Sequence, residues 1–387
     1  MDPIASGTPS VEIFLNYYSS QVPTRYSYAQ IMIYTNNLAE KLGKGGFGTV
    51  YKGQLPTGRE IAVKILDESK QSEQQFIAEV ATVGTTCHVN LVRLLGYSSQ
   101  GSIKALVYEY MVNGSLDKYI HGGHHDELSW KQLYSIALGT ARGIAYLHDE
   151  CRNRILHFDI KPHNVLLDDT FCPKVADFGL AQITNREESH ISVGYRGTLG
   201  YSAPEMVSRM YGVVTDRSDV YSYGMLVMEM VGARQNIDFH NKESTSSKFF
   251  YPEWAFKQVE KGQFGNLRKG NMSEEEQRIA KRKSLVGLWC IQFNAVRRPP
   301  MSKVIEMLEE DAGITTPPYP FPVDPPMIEM HLDDSDPSSS TITTPTPFPF
   351  PIDPPMTTMQ HHAPSCSATY PLEVEKKNPK STHNAQT

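Results

Sequence analysis

Residues Leu42 to Val50 read LGKGGFGTV, a GxGxxGxV run with Gly43, Gly45 and Gly48 at its repeat positions. The setting of this run narrows the available folds more than the glycines do. A dinucleotide-binding turn leads from a strand straight into a helix and places an acidic residue about 20 positions on. Here strand-like sequence lies beyond the run instead: Thr49 to Leu55, a Pro56-Thr57-Gly58 turn, then Arg59 to Leu66 with Ile61, Val63 and Ile65 alternating. The glycines therefore sit in a hairpin. They form a lid whose bare backbone can approach phosphates, with Val50 beneath it against an adenine ring.

Lys64 follows Val50 in IAVK, near the end of the second strand. A lysine on a buried strand is costly unless paired. Glu79 is the natural partner, because Ser72 to Gly84 puts Phe76, Val80 and Val83 at helical spacing and carries Glu79 beside them. The alternative, a surface Lys and a surface Glu that never meet, loses ground once the glycine lid is taken into account. Further along, His157 to Asn164 (HFDIKPHN) concentrates Asp159, Lys161 and Asn164 in one loop, and Asp177 of a DFG triplet follows after a strand-like stretch, Lys174 to Ala176. Asn164 and Asp177 offer oxygen donors suited to Mg²⁺ bridged by nucleotide phosphates, which leaves Asp159 to accept a hydroxyl proton. A single Asp is ordinarily a turn or cap residue. Four elements in this order and spacing make coincidence remote.

The flanks read differently from the middle. Of 26 prolines, 16 fall from Thr315 onward, where YPFPVDPPM (Tyr319 to Met327) returns as FPFPIDPPM (Phe348 to Met356). Closely spaced prolines block helix and sheet, so polyproline II or an unfolded, solvated tail is expected; a docking motif is the alternative. Two more strand-like runs, Leu91 to Tyr97 and Ile103 to Tyr110, complete a small sheet. Beyond Asn113 the pattern turns helical, with Ile136, Leu138, Ile144 and Leu147 on one helix and Val220 to Val231 apolar on nearly every side.

Charge and cysteine usage exclude other classes. Thirty-seven Lys plus Arg against 43 Asp plus Glu give a net charge of -6, so no chain-wide basic field exists for nucleic acid or an anionic membrane. Five scattered cysteines without a CxxC pair argue against a disulfide framework or a zinc knuckle and fit a reducing compartment. His121, His124 and His125 read as a surface turn rather than a metal site. No apolar run approaches the length of about 18 that a membrane helix needs, and Met1-Asp2-Pro3 opens neither a signal peptide nor a myristoylation site. A chain without a direct membrane span is expected.

Taken together, these motifs resemble the eukaryotic protein kinase family over about Leu42 to Leu308. The resemblance implies an α+β, bilobal fold: a leader or juxtamembrane-like segment over 1–37, a β-rich N-lobe over 38–111, a helical C-lobe over 112–314 and a disordered Pro-rich tail over 315–387. It implies ATP and Mg²⁺ as cofactors, with Lys64 on the α/β phosphates and paired to Glu79, Asp159 as catalytic residue, Lys161 near the γ-phosphate, and Asn164 and Asp177 as metal ligands. Leu42, Gly43, Gly45, Gly48, Val50, Ala62 and Leu166 would surround the nucleotide. Tyr108 is similar to a gatekeeper, and the Glu109 and Met111 backbone would bond adenine. Ala203-Pro204-Glu205 would close the activation segment with Arg298 as partner of Glu205, and Asp219 would brace the catalytic loop.

Lys161 and Thr198 resemble Ser/Thr kinases. RYSYAQI near Arg25, LVYEYMVNGSL and HFDIKPHNVLLD are similar to plant receptor-like kinases of the leaf-rust-resistance type. That group is usually single-pass in the membrane. The expectation here is a kinase domain without ectodomain or span, cytoplasmic or brought to the cytosolic face of the plasma membrane by an upstream receptor or co-receptor, and acting on protein substrates. A pseudokinase or scaffold is the rival reading, against which stands the retention of Lys64, Asp159, Asn164 and Asp177. One departure matters: Phe158 occupies the position before the catalytic Asp where many kinases place an Arg that receives an activation-segment phosphate.

Overall fold

Period-two alternation gives the first sheet two different faces. Its strands are β1 (Thr24–Arg25), β2 (Lys41–Gly45), β3 (Gly48–Gln54), β4 (Glu60–Leu66), β5 (Leu94–Gln100) and β6 (Ile103–Glu109), in the order β1-β5-β6-β4-β3-β2. Ile61 and Val63 of β4 and Ala105 and Val107 of β6 point to one side, where helix α1 (Tyr28–Tyr34) covers them with Ile31. Leu66, Leu106 and Tyr108 point to the other side, toward Phe76 and Val80 of helix α2 (Lys70–Ala81). Lys64 therefore shares the α2 side of the sheet, opposite Leu106 in the β4–β6 register. The β3–β4 turn closes at Gly58, which has φ of 83°.

This computed structural model describes residues 23–46, 48–121, 127–185, 196–237, 250–268, 270–310 and 313–321. The chain divides into two units, 1–329 and 330–387, and the second lies outside the described residues. Within the first unit, the hinge, Glu109 to Met111 at the end of β6, leads to helix α3 (Asp117–Ile120), and helix α4 (Trp130–Ala145) opens on a capping box in which Ser129 and Gln132 bond each other's backbone amides. Two small hairpins come next: β7 (Arg154–Leu156) pairs with β10 (Gln182–Thr184), and β8 (Val165–Leu167) with β9 (Pro173–Val175). Helix α5 (Pro204–Val207) is short, and α6 (Arg217–Gly232) is buried from Ser218 to Val231, as its all-round apolar sequence requires. Helices α7 (Tyr251–Glu260), α8 (Glu274–Cys290) and α9 (Met301–Glu309) complete the larger lobe, with Ser273 and Glu276 forming a second capping box at the start of α8.

Both flanks of the two lobes make specific contacts with them. The leader over 1–37, expected to pack loosely on the sheet lobe, contributes β1 as one of the lobe's strands and α1 as its cover. The reason is that the apolar face carrying Ile61 and Val63 needs a lid, and α1 supplies it. Strand β1 runs parallel to β5, Tyr26 N–H donates to Tyr97 O at 2.8 Å, and the Arg25 guanidinium reaches Ser99 O at 3.1 Å. Gly96 permits this approach: a Cβ there would lie 2.3 Å from the Tyr26 ring.

The tail is expected to begin at Thr315, but Thr315 to Phe321 lie along the end of α8. The Trp289 indole donates to Thr315 O (2.9 Å), the Gln292 amide to Pro318 O (3.1 Å) and the Phe293 N–H to Pro320 O (3.0 Å). Tyr319 meets Phe256 edge-on at 5.2 Å and Phe321 meets Phe250 at 5.3 Å. Prolines have no N–H to satisfy, so their carbonyls alone can be matched by a neighbouring helix end. The remainder of the expected tail, 322–387, lies outside the described residues.

Candidate active site

Between the sheet and the helical lobe lies a cleft of about 830 Å³, and the hairpin β2–β3 forms its roof. Gly48 is fixed there by a close approach: a Cβ would sit 2.2 Å from Ile65 O. Gly43 has open space where a side chain would project. The roof thus presents backbone to the cleft, as the glycine spacing predicts.

Below the roof, Lys64 Nζ stands 2.7 Å from Glu79 Oε1 and 2.7 Å from Asp177 Oδ1. Burial works against the ammonium charge, but the two carboxylates outweigh it and hold the Lys64 pKa above the usual lysine value. Glu79 is fully buried, and that burial pushes its pKa up to about 7 even though Lys64 pulls the other way. The Tyr108 hydroxyl donates to Glu79 Oε2. For Asp177, burial would raise the pKa, but Lys64 overcomes it and the carboxyl stays below the ordinary range. Asp177 adopts a left-handed backbone (φ 64°), which turns its side chain into the cleft, where 36% of it remains exposed.

Across the cleft the loop from His157 to Asn164 hangs from one buried carboxylate. Asp219, on α6, accepts the backbone N–H groups of His157 and Phe158 at 2.8 Å each and meets His148 Nε2 at 2.9 Å. Burial disfavours its charge, yet these donors keep its pKa below the usual value. Phe158 sits at φ 64°, nearly buried, in the apolar cluster that also holds Leu156, Ala203 and Met206. That turn directs Asp159 into the cleft. Its carboxylate accepts from Lys161 Nζ (2.8 Å), Asn164 Nδ2 (2.9 Å) and the Thr198 hydroxyl (2.6 Å), and Lys161 also bonds Thr198 at 2.7 Å. His157 accepts the Asp159 N–H on Nδ1, so its Nε2 carries the proton that bonds Ala176 O. The Ala176 N–H donates to Asn164 O at 2.9 Å, which sets Asn164 next to the strand leading into Asp177.

The residues expected from sequence to hold nucleotide and metal or to act in catalysis line this one cleft: Leu42, Gly43, Gly45, Gly48, Val50, Ala62, Lys64, Glu79, Glu109, Met111, Asp159, Lys161, Asn164, Leu166 and Asp177. At the hinge the Glu109 N–H is engaged by Arg93 O and the Met111 carbonyl by Gly114 N–H. Glu205 and Arg298 meet away from the cleft in a two-pronged pair of 2.6 and 2.8 Å. Sequence reasoning missed the Tyr108–Glu79 bond and the role of Thr198 in linking Asp159 to Lys161. It also missed Tyr201, whose hydroxyl donates to Glu229 at 2.7 Å on the cleft wall. An Asp or Glu on a buried helix, such as Glu229, was the available signal. His124 and His125 lie outside the described residues.

The protein kinase domain family matches residues 36–307. Among curated relatives, the leaf rust 10 disease-resistance locus receptor-like protein kinase-like 2.5 of Arabidopsis thaliana, the organism of the two that follow as well, is 51% identical over 297 residues, 76% of this chain and 45% of the relative. PR5-like receptor kinase is 48% identical over 320 residues, covering 82% and 48%. Protein suppressor of NPR1-1 constitutive 4 is 49% identical over 310 residues, covering 79% and 28%. The chain thus spans about half or less of the length of each.

Proposed function

The chain belongs to the protein kinase family, and from that premise we propose that it transfers the γ-phosphoryl group of ATP, with Mg²⁺, to Ser and Thr hydroxyls of protein substrates. The observation that carries the proposal is the meeting in one cleft of the Lys64–Glu79–Asp177 cluster with the Asp159–Lys161–Thr198 cluster.

Lys64, held by two carboxylates, is positioned to bind the α/β phosphates beneath the glycine roof. The donor set fits a hard divalent cation: Asn164 and Asp177 offer the oxygen ligands that would hold it against the phosphates. A bound Mg²⁺ would neutralise charge developing on the phosphates. Asp159 orients the substrate hydroxyl and takes its proton as the new O–P bond forms and the bond to the β-phosphate oxygen breaks. Lys161 lies beside Asp159, where it would steady the transferring group. Lys161 and Thr198 next to Asp159 support Ser/Thr over Tyr. Phosphoamino-acid analysis after reaction with labelled ATP is expected to give phosphoserine and phosphothreonine; phosphotyrosine as the main product would overturn this.

No helix among the described residues is long and apolar enough to cross a membrane. We place the domain's action in the cytoplasm, at the cytosolic face of the plasma membrane when an upstream receptor or co-receptor recruits it. The receptor-like kinases among its relatives support that reading.

A further inference from the structure

Three donors at the end of α8, the Trp289 indole, the Gln292 amide and the Phe293 N–H, face outward and are satisfied by carbonyls of Thr315, Pro318 and Pro320. Two rings, Phe250 and Phe256, receive Phe321 and Tyr319 edge-on. Pro317 and Pro320 are buried against the same surface. This is a built peptide groove: it reads backbone carbonyls at fixed spacing and a pair of aromatic rings that flank one proline. Prolines around the rings hold the peptide extended before it binds, which lowers the ordering cost.

The chain carries that ligand twice. Laying Tyr319 to Met327 over Phe348 to Met356 aligns Thr315 with Thr344, Pro318 with Pro347, Tyr319 with Phe348, Pro320 with Pro349 and Phe321 with Phe350. Every carbonyl and ring that the groove uses thus has a counterpart, and of the two buried prolines only Pro317 changes, to Thr346. We propose that the groove is a binding site for aromatic-proline-aromatic peptide, and that Thr344 to Phe350 is its second ligand, able to replace Thr315 to Phe321.

The order of occupancy follows from tethering and from one contact. The first copy comes soon after α9, whereas the second lies further along the same chain. A coil of the length from Phe321 to Phe348 would span roughly 30 Å and give an effective concentration on the order of mM. Tyr319 also offers a hydroxyl to Glu253, which Phe348 lacks. The first copy therefore holds the groove while it is intact, and the second takes over when the first is withdrawn.

The test uses four forms of the full chain: unaltered, Tyr319→Ala/Phe321→Ala, Phe348→Ala/Phe350→Ala, and all four changes together. Amide exchange at Phe293 and the melting temperature are measured in each. The proposal expects near-native values in both double variants. In the fourfold variant, Phe293 exchange should be at least about tenfold faster and melting a few °C lower, the scale of about 1 kcal/mol here. Full acceleration in Tyr319→Ala/Phe321→Ala alone, with nothing added by the second pair, would overturn it. So would protection that disappears on dilution, since the second copy would then be acting on another molecule. A synthetic peptide of residues 344–356 added to the fourfold variant should restore the slow exchange, while a scrambled peptide should not; equal effects from both would also refute the site.

Discussion

Two buried charge clusters in the same molecule are built to opposite specifications. Around Arg298, both carboxylate oxygens of Glu205 and the carbonyls of Gln292, Arg217 and Phe293 occupy the guanidinium, and Tyr221 lies against its face at 4.9 Å. Both side chains of the pair are fully buried. Around Lys64, the ammonium meets two carboxylates, one of them, Asp177, open to the cleft. A saturated guanidinium has no donor left for a ligand and can only hold the helical lobe together. An ammonium has three donors and can shift among acceptors. The difference separates charge used for architecture from charge used for chemistry.

The largest effect expected from breaking this comparison is at the closed cluster. Arg298→Ala leaves Glu205 buried without its partner and should cost about 3–5 kcal/mol of stability. Calorimetry would read it, and a change under about 1 kcal/mol, the range of an exposed pair, would show that the pair is ornamental. The open cluster should respond in rate instead. Asp177→Ala is expected to lower turnover by about 10² or more, about 2.7 kcal/mol, with little change in melting. Turnover equal to that of the unaltered chain would favour a scaffold that signals by binding.

A smaller effect sharpens the contrast through pH. Folding raises the Glu79 pKa from 4.5 to about 7, so the folded chain holds a proton that the unfolded chain has lost in that window. Stability from this group is present at the acid end, falls as pH rises toward 7, and is flat above. Turnover should run the other way, rising through about 7 as Glu79 ionises and pairs with Lys64. Glu79→Gln should remove both slopes, and slopes that survive it belong to another group.

The smallest expected effect is none. Phe158 gives the catalytic loop apolar packing and no charge for a phosphate to compensate, so phosphatase treatment should leave kcat within a few-fold. A loss on the order of 10³, about 4 kcal/mol, would show a phosphate switch working without an arginine at that position.

The cleft was legible in sequence because its chemistry depends on short motifs whose residues need one another: Lys64 needs a carboxylate, and Asn164 with Asp177 makes sense only beside phosphates. Partners that depend on packing were not legible. Tyr108 reaches Glu79 because β6 lies beside β4, and no local spacing encodes that. Strand β1, Thr24–Arg25, is too short for any periodicity. Thr315 to Phe321 read as unstructured because prolines break ladders, but a segment that needs no donors satisfied can still be held by its carbonyls.

Strand β1 has a mechanical consequence. Because it runs parallel to β5, tension applied along the chain ahead of Pro23 loads its bonds in shear, so the Arg25 and Tyr26 contacts share the force. Unpeeling one bond at a time would require a pull across the strand. The first element to yield would then be set by an unfolding rate, and its failure would pass the load to α1, whose Ile31 covers the Ile61 and Val63 face of β4, while leaving the Lys64 face in place.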